Sequence, residues 1–223
     1  MIKVVVFDFD GTLVDSNTAK HECLHAAVSC FAGGDVALRA ALDIGGNRYK
    51  MFGEVARRLD AARDDLAEEL TETYTRCCAN AIFRAPERRG ARASLIALRR
   101  MGLRLWINSG TPHRDLRELV RRRGLMPYFR GMLGSPTPKS DNLRRIMRIE
   151  NVPSISVLHI GDSPDDYVAA REAGTWFVAI DAERRIPKPV RFAVDDLVPL
   201  ASVLRKLHPQ SRAQALLDTG AVR

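Results

Sequence analysis

Val5-Val6-Phe7-Asp8-Phe9-Asp10-Gly11-Thr12-Leu13-Val14-Asp15-Ser16 is the stretch on which the fold turns. A largely apolar run from Ile2 to Phe7 stops abruptly at two carboxylates one residue apart. β-Branched and aromatic residues bounded by Gly11 predict a buried strand. Side chains at i and i+2 share a face of a strand, so Asp8 and Asp10 project together from its C-terminal end. In open α/β sheets that edge is where ligands bind. One carboxylate there can attack while its neighbour carries a proton.

Working outward, further strand-like runs fall at residues 103–108, 156–161 and 176–180, with helical patterns between them. Leu95, Leu98 and Met101 recur at helical spacing in a segment closed by Gly102. Thr111-Pro112 reads as an N-cap followed by proline at the first helical position, and Thr137-Pro138 repeats the signal. Ser163 opens another helix, which Gly174 closes. Strands alternating with helices predict a parallel sheet. The gap between the first two strands is too long for a simple crossover. Residues 16–81 read as helical, with apolar stretches at Ala26, Ala27, Val28 and Phe31, at Met51, Val55 and Leu59, and at Leu66 and Leu70; Gly33-Gly34 and Gly45-Gly46 read as breaks. The expected organisation is α/β: a three-layer, Rossmann-like parallel-sheet core from residues 1–15 and 82–223, with a helical cap at 16–81.

Three later segments join the opening one in order: Ser109 after a strand, Lys139 in Gly134-Ser135-Pro136-Thr137-Pro138-Lys139, and Asp162 with Asp166 in Ile160-Gly161-Asp162-Ser163-Pro164-Asp165-Asp166. Together they resemble the motifs of the haloacid dehalogenase superfamily, beginning with DxDxT as that family's phosphatases carry it. The resemblance covers roughly residues 1–195 and points to the phosphoglycolate-phosphatase-like branch, whose small helical cap sits between the first and second motifs. It implies that Asp8 is a nucleophile forming an aspartyl-phosphate. Asp10 would be the general acid and then the base, its backbone carbonyl also ligating Mg²⁺. Ser109 and the Gly110 amide would contact phosphate with Lys139, Asp162 would ligate Mg²⁺ directly, and Asp166 would support the metal from behind or through water. An aspartate at the second position suits ester chemistry, because an alkoxide leaving group needs a proton and a halide does not.

Two observations support that set. Lysine supplies six of the 35 basic residues, yet one stands at the position the family requires. Carboxylates about 5 Å apart repel by about 3 kcal/mol at an effective dielectric near 20, so Asp8, Asp162 and Asp166 need a divalent cation beside Lys139. The expected activity is Mg²⁺-dependent hydrolysis of a small phosphorylated metabolite. A phosphomutase is the alternative, though the cap-loop pattern of sugar phosphomutases is not found. A phosphate-binding or interaction module is disfavoured because no catalytic position is missing.

Composition bounds the rest. The chain has 223 residues, 46% hydrophobic and 28% charged, a net charge of +8 and a pI near 9.7. The arginines are scattered and aromatics are only 6%, so no nucleic-acid partner is expected. No apolar run approaches the roughly 20 residues of a membrane helix, so a cytoplasmic location without membrane association is expected; the sequence does not set the oligomeric state. Cys23, Cys30, Cys77 and Cys78 form no CxxC pair and are expected as reduced core thiols, Cys23 and Cys30 on one helical face. His21-Glu22-Cys23-Leu24-His25 matches the HExxH zinc signature but lacks a third ligand at familiar spacing. Lys20 and His21, at the expected mouth of the cap, and Arg48 and Lys50, in a basic loop, are candidate specificity residues. His159 reads as a core histidine.

Overall fold

The computed structural model describes residues 1–44, 48–59, 63–180, 186 and 190–207, with only the backbone of Lys206 and Leu207. Gly45-Gly46 and the C-terminal tail fall outside the described residues. The chain divides into two compact units, Met1–Asp15 with Pro86–Arg223, and Ser16–Ala85. The expected boundary at 81/82 falls instead after Ala85, because the last helix of the insertion runs on through Arg84 before Pro86.

In the first unit, β1 (Val4–Phe7), β2 (Arg104–Pro112), β3 (Gly131–Ser135), β4 (Val157–Gly161), β5 (Trp176–Ile180) and β6 (Ala193–Val194) form one sheet in the order β3-β2-β1-β4-β5-β6. Every pairing is parallel. Val4–Phe7 pairs with Arg104–Ile107 on one side and Val157–Ile160 on the other. β1 is therefore central, and its four side chains are fully buried, as a strand covered on both faces requires. The chain moves from β1 to one neighbour and later returns to the other, so the strand order switches at β1, the point where such sheets bind ligands.

Helices α5 (Ala91–Arg100), α6 (His113–Arg122), α7 (Lys139–Glu150) and α8 (Pro164–Ala173) lie in the crossovers, and α9 (Leu200–Leu207) follows β6; they are numbered after the four helices of the other unit. Val4 and Val6 share a core with Leu143 and Ile146 of α7 and Ala169 and Ala173 of α8. α5 and α6 flank β2, and α9 packs on α5. Met101 lies past the end of α5 and is exposed, so the apolar stripe stops at Leu98. β3 and β6 had no strand signal. Gly131 and Gly134 dilute β3, yet a Cβ at Gly131 would stand 2.4 Å from the Trp106 ring, so glycine lets the edge strand approach β2.

The second unit contains α1 (Asn17–Val28), α2 (Gly34–Ile44), α3 (Arg48–Leu59) and α4 (Leu66–Arg84). α1 packs on α4, α2 on α3 and α3 on α4. The buried face of α1 is Cys23, Leu24, Ala27 and Val28; Phe31 lies beyond the helix. Cys23 is joined to Cys77 of α4 by a disulfide, Cys30 is exposed and Cys78 is buried. The expectation of reduced thiols is thus corrected: packing α1 on α4 brings two Cα atoms distant in sequence to 5.6 Å, which spacing along one helix cannot reveal. Among the described residues, no helix is long and apolar enough to cross a membrane.

Candidate active site

The carboxylates gather at the C-terminal edge of the sheet, around the end of β1. Asp8 continues the ladder for one residue, its N–H donating to the Ile160 carbonyl at 2.8 Å, and its Oδ1 accepts from the Phe9 N–H at 2.7 Å. The chain then turns sharply. The Leu13 and Val14 N–H groups both donate to the Phe9 carbonyl, and Gly11 takes a φ of 79°. A Cβ at Gly11 would lie 2.1 Å from Asp162 Oδ2, so glycine is required by the backbone angle and by this close approach alike. Beside it, the Thr12 hydroxyl donates to Asp162 Oδ1 at 3.0 Å.

Lys139 opens α7, and the Asn108 side chain of β2 donates to its carbonyl at 2.9 Å, tying the helix start to the sheet. The helix begins after Pro138, and α6 begins after Pro112, so each proline takes the N-cap place and the threonine before it stays outside the helix. Lys139 Nζ stands 3.1 Å from Asp8 Oδ2 and 2.7 Å from Asp166 Oδ1. Asp166 is fully buried. Its Oδ1 also meets His159 Nε2 at 3.0 Å, and its Oδ2 accepts from the Ser163 hydroxyl at 2.5 Å and the Ser163 N–H at 3.2 Å. The last contact belongs to a capping box that starts α8, so Asp166 serves the helix and the lysine together. The opposite ring nitrogen of His159 meets the Val6 carbonyl at 3.2 Å.

Asp8, Asp162 and Asp166 are buried, with one oxygen from each inside a 4.8 Å cluster. Burial, followed by the charges of Asp166, Asp162 and Asp10, pushes the Asp8 carboxyl well above the usual range against the pull of Lys139. Burial acts on Asp166 the same way, but Lys139 and His159 outweigh it and hold its carboxyl below the usual range. Burial would lower Lys139, yet Asp166 and Asp8 hold its ammonium well above an ordinary lysine. Three carboxylates around one ammonium are a donor set short of positive charge, and hard oxygens suit Mg²⁺. Asp166 carries two contacts on each oxygen, Lys139 and His159 on Oδ1 and the hydroxyl and N–H of Ser163 on Oδ2.

Asp10 is buried and accepts from the Thr111 hydroxyl at 2.6 Å. Ser109 is buried and its Oγ accepts from the Thr111 N–H at 3.1 Å, which occupies a lone pair and leaves the hydroxyl proton to donate. Gly110 between them is exposed, and a Cβ there would meet nothing within 4 Å. Sequence reasoning missed the contacts of Thr12 and Thr111. Thr12 stood in the quoted motif, whereas Thr111 carries no motif and depends on strand register. His159 is the core histidine expected, fully buried with both ring nitrogens in contact, and only its meeting with Asp166 was not foreseen.

The four candidate specificity residues all lie on the helical unit. Lys20 is half-buried, and His21 and Lys50 are exposed. Arg48 is not in a loop: it opens α3, donates to Thr75 Oγ1 at 3.4 Å and stacks 5.6 Å over the Tyr74 ring of α4. Of the HExxH residues, Cys23 is tied to Cys77 and His25 pairs with Asp35 at 2.7 Å. Among the described residues, the three aspartates are the one cluster able to hold a metal.

The family model of haloacid dehalogenase-like hydrolases matches residues 2–174. Phosphoglycolate phosphatase from Rhodospirillum rubrum is 31% identical over 200 residues, which cover 81% of this chain and 80% of that protein. Its counterpart from Pseudomonas savastanoi pv. phaseolicola is 28% identical over 216 residues, 93% of this chain and 79% of that protein. A predicted phosphoglycolate phosphatase from Haemophilus somnus 129PT superposes with a TM-score of 0.74 at 18% identity, covering 91% of this chain and 98% of that one. CbbY from Rhodobacter sphaeroides, solved with phosphate, gives 0.70 at 17% identity over 90% and 96%. At such identities the structures speak to the fold. The family match runs from β1 to the end of α8 and takes in the whole aspartate and lysine cluster, so the chain belongs to the haloacid dehalogenase-like hydrolases and resembles their phosphoglycolate phosphatases.

Proposed function

We propose that the protein hydrolyses a small phosphate monoester through a covalent phosphoryl intermediate on Asp8. The observation that carries this reading is the contact of Lys139 with Asp8, together with a buried Asp10, two residues on, that accepts a hydrogen bond from Thr111. A carboxylate oxygen of Asp8 attacks phosphorus as the bond to the ester oxygen breaks. The Asp10 carboxyl gives its proton to that oxygen, releasing the alcohol. Water then attacks the phosphorus and gives a proton back to Asp10. The bond to Asp8 breaks, and inorganic phosphate leaves. Lys139 balances charge on the phosphoryl oxygens, and the Ser109 hydroxyl donates to one of them. Asp8, Asp162 and the Asp10 carbonyl would hold Mg²⁺, which when bound supplies the positive charge that phosphoryl oxygens and crowded carboxylates need.

Phosphoglycolate is the first substrate to test, because curated relatives bear that activity in their names. The experiment is a panel of phosphate monoesters with Mg²⁺, together with acid quench and mass spectrometry of the Asp8 peptide. Phosphate release with a phosphorylated, hydroxylamine-labile Asp8 is expected. Hydrolysis by Asp8→Asn, or turnover that persists in excess chelator, would overturn the reading. Activation by a bisphosphorylated sugar with isomer formation would replace it with mutase chemistry.

A further inference from the structure

β2 does not run regularly to its end. Asn108 pairs with Leu133 and Pro112 with Ser135, so four steps along β2 match two along β3. The extra residues form a bulge at Ser109-Gly110-Thr111, and bulges commonly re-aim a side chain beside an active site. The Thr111 N–H, displaced from a regular ladder, donates to Ser109 Oγ. The bulge brings Thr111, only 5% exposed, to the loop after β1, with Oγ1 at 2.6 Å from Asp10 Oδ2.

We propose that Thr111 is the positioning residue for Asp10, holding its carboxyl group in one orientation through both halves of the reaction. This rests on the reading of Asp8 and Asp10 given above. In that reading Asp10 alternates between acid and carboxylate. A hydroxyl is suited to both states, since it donates to the carboxylate and, after rotation, accepts from the acid. An amide N–H or an ammonium can only donate. A threonine is also stiff about χ1, so the bulge transmits its backbone geometry to the hydroxyl with little slack. Thr111 does not touch the phosphoryl centre in this scheme; it acts through Asp10.

The test is the dependence of kcat/KM on leaving group, because that ratio covers the steps through cleavage of the ester bond and excludes hydrolysis of the intermediate. A series of aryl and alkyl phosphates is compared in the wild-type enzyme, Thr111→Val and Thr111→Ser at saturating Mg²⁺. p-Nitrophenolate departs without a proton; an alkoxide does not. Thr111→Val should leave kcat/KM for p-nitrophenyl phosphate within about threefold, and lower it for alkyl esters by about 10- to 100-fold, part of the usual range for general acid catalysis. Thr111→Ser should recover most of the loss, and Thr111→Ala, which removes the hydroxyl with a different packing defect, should reproduce the valine pattern. An equal loss on every ester would show a merely structural role and overturn the proposal, as would no loss on any. Asp8→Asn is the separate control: hydrolysis by that variant would overturn the reading of the nucleophile, whatever the threonine variants do.

Discussion

At the scale of single residues, the crowding of carboxylates around Asp8 implies a stability cost that can be measured. Asp8 has its carboxyl raised by burial and by neighbouring carboxylates. A raised acid stabilises the fold below its unfolded value, near 3.9, and that contribution is lost as pH rises through the folded value. In metal-free protein at neutral pH, Asp8→Asn should therefore raise Tm by a few degrees, about 2–4 °C per kcal/mol for a chain of this size, while abolishing turnover. A melt in chelator checks it; an unchanged or lower Tm would contradict the charge crowding. Asp166 has the opposite sign. Its depressed carboxyl contributes fully above about pH 4 and is lost as pH falls further through the folded value. Lys139→Ala should destabilise the protein at pH 7 as well as lower kcat for every ester, because it leaves buried carboxylates without their cation.

At the scale of elements, a disulfide ties α1 to α4 in the helical unit. It spans a sequence separation of 54, for which the chain-entropy model gives about 4 kcal/mol. Cys23→Ser with Cys77→Ser should lower the thermal midpoint by several degrees relative to the oxidised wild type, and reductant should do the same to the wild type alone. A melt insensitive to reductant would refute the bond. Elements were legible where one local pattern decided them. The strands at 157–161 and 176–180 and the helix closed by Gly174 announced themselves by apolar runs and terminal glycine. β3 did not, because Gly131 is there to fit Trp106 of another strand. In the candidate site, Asp8 and Asp10 share a short motif and could be read together. His159 and Thr111 reach aspartates through the pairing of His159 with Val6 and through a two-residue slip between β2 and β3, and neither register is written in the local sequence.

At the scale of the whole molecule, the arginine excess divides into paired and unbalanced charge. Arg57 and Arg58 meet Glu54, Arg63 meets Asp65 and Glu69, Arg121 meets Glu118, and Arg144 meets Asp141, all exposed pairs close in sequence. Such pairs stabilise little, and pairing does not change the net charge of +8. A surplus of that sign attracts a dianionic phosphate ester from a distance, an effect on encounter rate that salt screens. With the substrate class proposed above, kcat/KM should fall by a factor of about 2–5 as ionic strength rises from about 20 to about 200 mM, over which the Debye length shrinks from roughly 20 to roughly 7 Å. The loss should be smaller for kcat, which begins from bound substrate. Mg²⁺ must be held saturating at each salt concentration, so that screening of the metal site does not mimic screening of the substrate. A kcat/KM flat in salt would mean that surface charge does not steer the ester, or that chemistry limits the ratio. A viscosity series separates those outcomes, since only diffusion-limited encounter slows in proportion to added viscogen.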